Sequence, residues 1–405
     1  MILLLIVLFA LCVLGLTFLL PRFAAIVWIL ALETSPDSWL DRLAGVARHE
    51  TIIGLLKAFG LVLAAALALR QGTRRDRYNP AFAFAAMFLS GLLHGLYPGL
   101  TLLSSFRSLI GSASPFFFSF IRLEQNVCRA VIWATLWGPL CAVFWSAALA
   151  ALGLDHLYVL EQGALRLGGT GEPPFLAGFA LIGVYAALVA CAGGTGRSAV
   201  TALFVNFIII LLTGARMPLA IASFEILLLL ILQRRFLALA GAGALAAGAL
   251  LFSGTLGFLR VIDLTKLGEA ANLSNRDIVW PYFWSAFWSS PIFGWGVGAG
   301  KIIIPVNSRL NEMLGTNAAH NEYLRLGAEG GAFGVALLII FLLLWVRRHT
   351  AAMAPAQSAM VRLIFIGFSV HSATDNTMIA TTSSVFFLWT SCIFANAANA
   401  AKPAA

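Results

Sequence analysis

Charge is what this chain has least of. Of its 405 residues 11% are Asp, Glu, Lys or Arg and 60% are hydrophobic, whereas a soluble globular domain carries about 25% charged residues. One greasy soluble core does not explain the deficit, because long apolar stretches recur from residue 1 to residue 395. Acidic residues are scarcer than basic ones, 17 against 26, for a net charge of +9. In a soluble protein that excess suggests a nucleic-acid partner. Here the basic residues sit in short links between apolar runs (Arg70, Arg74, Arg75 and Arg77; Arg234 and Arg235; Arg347 and Arg348), which is the positive-inside pattern of a membrane protein and argues against nucleic acid. Cysteine is also sparse. Cys12, Cys128, Cys141, Cys191 and Cys392 lie in or beside apolar runs, with no CxxC pair and no histidine at ligand spacing. A disulfide framework and a zinc site are therefore not expected. The first twenty residues lack the basic start of a cleaved signal peptide and are read as a retained span or signal anchor.

What is present is a succession of candidate spans. They cover residues 1–20, 22–34, 51–69, 80–104, 108–121, 130–152, 175–192, 199–213, 218–233 and 236–255, then 332–346, 357–371 and 378–395. The expected fold is an all-α polytopic membrane protein with about 12 transmembrane helices (11–13) and one large periplasmic loop. The organisation read from the sequence is an N-terminal bundle over 1–255, a loop with short amphipathic helices over 256–331, and C-terminal spans over 332–405. Placing Arg70–Arg77 in the cytoplasm also places Arg122, Arg129, Arg234, Arg235, Arg347 and Arg348 there, and puts 256–331 on the opposite face.

The segment 256–331 is mostly too polar to span and far longer than the other links. It holds Trp280, Tyr282, Trp284, Phe287, Trp288 and Trp295, residues that favour the lipid–water interface. Ser274 with Asp277 reads as a capping box opening an aromatic helix, with Pro281 as a bend. A glycine-rich turn, Gly294 to Gly300, follows. No GK[ST] comes after it and no βαβ unit surrounds it, so it is neither a P-loop nor a dinucleotide fingerprint. A second helix is expected to begin near Asn317 and to carry His320, Asn321, Glu322, Tyr323, Arg325 and Glu329 into the span at 332–346, with Glu322 and Arg325 paired on one face.

Three residues on the proposed outer face can carry chemistry. Arg216 lies between two apolar runs, where an arginine either snorkels or meets an anion. Arg276 falls in the first turn of the capped helix, against the helix dipole. It is either a solvated surface residue or, with the helix N-terminus, part of a phosphate grip. His320 is the histidine of the outer loop and can exchange protons near neutral pH; its alternative is a packing role. Glu225, His371 and Asp375 are weaker candidates, the last two read as helix-end residues.

At these positions the chain resembles the O-antigen ligase and polymerase superfamily. Ala319-His320-Asn321-Glu322-Tyr323-Leu324, continued by Glu329-Gly330-Gly331 and Gly334, is similar to the family's histidine-asparagine signature. Pro291 to Gly298 resembles the proline-glycine turn before it, and Thr213-Gly214-Ala215-Arg216 its threonine-glycine-serine-arginine segment, with Ala215 in place of serine. Arg276 matches an arginine of the outer loop. The likeness is clearest over 193–345.

The resemblance implies a GT-C-like, metal-independent glycosyltransferase of the bacterial inner membrane with its active site facing the periplasm and no cofactor. Its donor is an undecaprenyl-diphosphate-linked glycan. Its acceptor is lipid A-core for a ligase, which completes lipopolysaccharide, or a second lipid-linked glycan for a polymerase, which makes O-antigen or exopolysaccharide. The ligase is the closer likeness. By the same carry-over Arg216 and Arg276 hold the diphosphate and His320 acts on the acceptor hydroxyl. Asn321, Glu322, Tyr323, Gly296 and Gly298 are candidate supports. Membrane lipids are the remaining partners. A transporter of lipid-linked saccharide is the alternative from another class, but no internal repeat marks an inverted-repeat carrier.

Overall fold

The apolar runs do form helices, but most are too short to cross a bilayer alone. The computed structural model describes residues 12, 14–44, 49–161, 164–194, 196–235, 276–305, 307–314 and 316–400. In order these form α1 (Pro21–Glu33), α2 (Pro36–Ala44), α3 (His49–Gln71), α4 (Ala81–His94), α5 (Leu102–Ala113), a 3₁₀ turn (Ser114–Phe120) and α6 (Gln125–Ala151). A hairpin, β1 (Tyr158–Glu161) with β2 (Ala164–Leu167), precedes α7 (Pro173–Ala192), α8 (Arg197–Thr213) and α9 (Arg216–Leu232). Then come α10 (Arg276–Ser289), a 3₁₀ turn (Ala299–Lys301), α11 (Arg309–Leu314), α12 (Glu322–Thr350), α13 (Pro355–Ser372) and α14 (Thr381–Ala400).

The expectation of about 12 membrane-crossing helices is corrected by these lengths. Among the described residues four helices are long and apolar enough: Thr51–Gln71, Gln125–Ala151, Pro173–Ala192 and Glu322–Thr350. Several long apolar helices of this kind mark a membrane-embedded protein. The physical reason for the smaller number is chain punctuation. The run 80–104 stops as a helix at His94, because Gly95 takes φ 105° and a turn leads to the Thr101 cap. The run 108–121 is divided between α5 and a 3₁₀ turn opened by Pro115. Helices α8 and α9 have 17 residues each, and α1 has 13. Helix α14 is long enough but is diluted by Ser, Thr and Asn, and α13 carries Arg362 and His371. The expected span 236–255 and the Ser274 cap lie outside the described residues. The hairpin is a small departure from the all-α expectation, paired in antiparallel register with Tyr158 opposite Leu167.

Helix α7 lies at the centre, buried along most of its length. Its neighbours fix which helix ends lie together. At its C-terminal end, the Cys191 carbonyl accepts from Gln233 Nε2 (3.2 Å) and the Val189 carbonyl from Gln357 Nε2 (3.4 Å). The C-terminus of α9 and the N-terminus of α13 therefore share that end. The same end collects most of the basic links: Asp76 accepts from Trp345 Nε1 (2.8 Å) and contacts His349 Nε2 (3.1 Å), and Arg348 stacks over Tyr78. By elimination Arg216 at the start of α9 and the turn after α13 emerge at the opposite end. There a Cβ on Gly178 of α7 would touch Thr382 of α14.

Helix α12 is interrupted at Gly331. Gly331 takes φ 61°, ψ −170°, and a Cβ there would strike the Ile292 carbonyl. Ala332 and Phe333 donate instead to the carbonyls of Pro291 and Ile292 (2.8 and 3.0 Å). The glycines near residue 330 thus let the loop before α12 lie directly on the helix.

Candidate functional site

His320 does not sit on a helix. The helix expected from Asn317 begins at Glu322, and Asn321 is its N-cap, accepting from Leu324 N–H at 3.2 Å. The cap requires extended backbone at Asn321 (φ −158°, ψ 107°). His320 precedes it at φ 46°, a left-handed conformation uncommon for a side-chain-bearing residue. That sharp reversal aims the imidazole away from α12 toward the turn after α13. Its Nδ1 lies 3.5 Å from Asp375 Oδ1 and its Nε2 lies 3.3 Å from Thr316 Oγ1. His320 and Asp375 are each 37% exposed at the side chain, so the pair opens to solvent.

Asp375 is the residue that sequence reasoning placed only at a helix end. It faces His320 with one oxygen and His371 Nε2 with the other, at 3.9 Å. Burial alone raises its carboxyl. The hydrogen bond with His320, the charge of His371 and the N–H of Asn376 outweigh it and hold the group below the usual carboxylate range. The only sequence hint was an acidic residue beside a histidine in a turn between two apolar runs. Its pairing with His320 spans 55 positions, which no local pattern reveals.

Arg276 is the first residue of α10, and its buried Nε has no hydrogen-bond partner among the described residues. Burial lowers its pKa and the charge of Asp375 counters that, so the guanidinium is within electrostatic reach of the same carboxylate. Arg216 is the first residue of α9 and exposed. It lies at the same end of the bundle as the turn carrying Asp375, as the helix pairing above requires. Arg216 at the start of α9 adds the positive end of a helix dipole to its own charge.

The supporting candidates divide by role. Glu322, Arg325 and Glu329 form a buried triad, with Arg325 Nε at 2.6 Å from Glu322 and Nη1 at 2.7 Å from Glu329. Glu322 also accepts from Met378 N–H at 2.6 Å, tying α12 to the segment that follows Asp375. Tyr323 donates to the Ser369 carbonyl at 2.9 Å, fastening α12 to α13. Gly296 and Gly298, at φ 87° and 100°, press backbone against Leu96 and Ser108. The contacts of Glu322, Tyr323, Gly296 and Gly298 hold the elements around His320 in place. No group of three or more His, Cys, Asp or Glu among the described residues is arranged to hold a metal ion.

Residues 201–339 match the family model described as O-antigen ligase. Over these residues the match supports assignment to the O-antigen ligase and polymerase superfamily. No curated protein matches it. This O-antigen ligase-type enzyme acts in lipopolysaccharide biosynthesis as a transferase embedded in the membrane, working on lipid-linked glycan. The matched segment contains Arg216, Arg276 and His320 and ends before Asp375.

Proposed function

We propose that the enzyme transfers a saccharide from undecaprenyl diphosphate to lipid A-core at the periplasmic face of the bacterial inner membrane. The observation that carries this reading is the cluster in which His320 faces Asp375 while the charge of the same carboxylate acts on the half-buried Arg276 guanidinium. In the tautomer that donates Nδ1–H to Asp375, Nε2 is a hydrogen-bond acceptor. In this reading an acceptor hydroxyl takes the place that Thr316 Oγ1 holds beside Nε2 at 3.3 Å.

The acceptor hydroxyl gives its proton to His320 Nε2 as its oxygen attacks the anomeric carbon of the donor. The bond from that carbon to the diphosphate oxygen breaks, and undecaprenyl diphosphate leaves with the bonding pair. Arg276 and Arg216 offset the charge that develops on the diphosphate, and Asp375 offsets the imidazolium. Direct displacement inverts the anomeric centre. In this reading residues 256–331 face the periplasm between an N-terminal bundle, 1–255, and C-terminal helices, 332–405. The basic links gathered at the other end of α7 support that orientation.

The test is a deletion strain. Loss of all polymer on lipid A-core, with long lipid-linked polymer accumulating, supports transfer to core. Core capped by one repeat overturns it in favour of polymerisation.

A further inference from the structure

A second cluster of cations lies on the other flank of His320 and is not used by the chemistry above. Lys57 of α3, Lys301 of the 3₁₀ turn and Arg325 of α12 line one cavity together with Asn317 and Asn376. The carboxylate among the lining residues is Glu329, and it is engaged: Oε2 is held by Arg325 and Oε1 accepts from Gly300 N–H at 3.3 Å. A lysine within an apolar spanning helix such as α3 is costly and calls for a partner. Among the described residues Lys57 donates to the Ile379 carbonyl at 3.2 Å, whereas an ammonium has three donors.

Two further polar atoms line up with this cation pair. Arg325 is 3% exposed, and its Nη2 has no hydrogen-bond partner among the described residues. The buried amide oxygen of Asn376 is likewise unpartnered. Amide oxygen and nitrogen exchange places by a flip, so Asn376 can offer N–H donors to an anion. Two ammoniums, the Nη2 nitrogen of a guanidinium and an amide make a donor set that matches a phosphate or carboxylate.

The location gives the site its meaning. Ala319, one residue before His320, and Asn376, one residue after Asp375, both line the cavity, while Arg216 and Arg276 do not. An anion bound there sits beside the base and apart from the arginines assigned to the leaving group. In an inverting displacement the acceptor approaches opposite to the leaving diphosphate. We infer that Lys57, Lys301 and Arg325 bind an anionic group, phosphate or sugar-acid carboxylate, of the acceptor saccharide and so present its hydroxyl to His320. This rests on the transferase reading and adds to it how the acceptor is recognised.

The experiment uses the full-length purified protein with a lipid-linked donor, and with phosphorylated lipid A-core or the same acceptor after phosphatase treatment. Lys57→Met and Lys301→Met should each raise the acceptor KM about tenfold or more, with kcat and donor KM changed less than about threefold. Lys57→Arg should recover most of the loss. Phosphatase treatment should weaken the parent by a similar factor and weaken Lys57→Met little further. An unchanged acceptor KM in both methionine variants overturns the proposal, and so does a rise confined to donor KM, which marks the donor diphosphate as the anion. Thermal protection by inorganic phosphate provides a readout without turnover. It should persist in Arg276→Lys and disappear in Lys57→Met. Protection through Lys57 in a protein that transfers no glycan sinks the transferase reading and keeps the anion site. Normal transfer with protection and acceptor KM indifferent to Lys57 does the reverse.

Discussion

Replacing Asp375 by asparagine removes one charge and almost no volume, so it isolates what the carboxylate does for His320. The neutral amide presents either an oxygen or an NH₂ group to Nδ1, and the NH₂ orientation favours the tautomer with its proton on Nε2, the wrong atom for a base. General-base catalysis as a whole contributes about 10²–10⁴-fold. The pair here is long, 3.5 Å, and each side chain is 37% exposed, so solvent screens it. We therefore expect Asp375→Asn to slow the chemical step by about 10–10²-fold, less than His320→Ala at about 10²–10⁴-fold. The double variant should be no slower than His320→Ala, because the carboxylate acts through the imidazole. The assay is single-turnover transfer at saturating donor and acceptor, with undecaprenyl-diphosphate binding measured separately to show an intact fold. The Asp375 carboxyl is held below its ordinary value. Its stabilising contribution is thus present above the ordinary aspartate range and is lost as pH falls through the lower folded value, so it is complete at neutral pH. Asp375→Asn should remove that portion of the acid sensitivity of stability. A rate within about threefold of the parent, or losses that multiply in the double variant, would refute the coupling.

Other outcomes follow from the same geometry. Arg276→Lys keeps the charge but loses the planar fork, and donor affinity should fall about tenfold or more in a binding assay; near-normal donor turnover removes the clamp. Alanine at both Arg216 and Arg276 should be worse than either alone. Arg325→Met leaves Glu322 and Glu329 facing each other in a buried setting and should cost about 3–5 kcal/mol, read as lowered thermal stability in detergent. Gly331→Ala forces a side chain into a left-handed backbone against the Ile292 carbonyl, and should destabilise by at least about 1–3 kcal/mol. Cysteines introduced near residue 310 should label from outside the inner membrane and those near residue 75 should not; the opposite pattern reverses the orientation.

The sequence by itself determined the class of molecule and supplied the candidate side chains of the proposed site. Apolar runs and arginine links are one-dimensional facts, so a membrane protein of many helices was legible. Arg216, Arg276 and His320 were legible as candidates, because each stands in a short stretch that resembles a family motif. The i,i+3 pair Glu322–Arg325 was legible as well, being set by helix geometry alone. Tertiary structure decided the rest. Hydropathy cannot tell a spanning helix from a run broken at Gly95 or Pro115, since a single backbone dihedral ends the helix without lowering apolarity. The left-handed turn at His320 depends on the Asn321 cap and on the loop packed beside it. Asp375 became a partner of His320, and Lys57 of Arg325's cavity, only when helices far apart in the chain were packed together. Such pairings depend on which helix faces share an interior, and sequence spacing does not encode that.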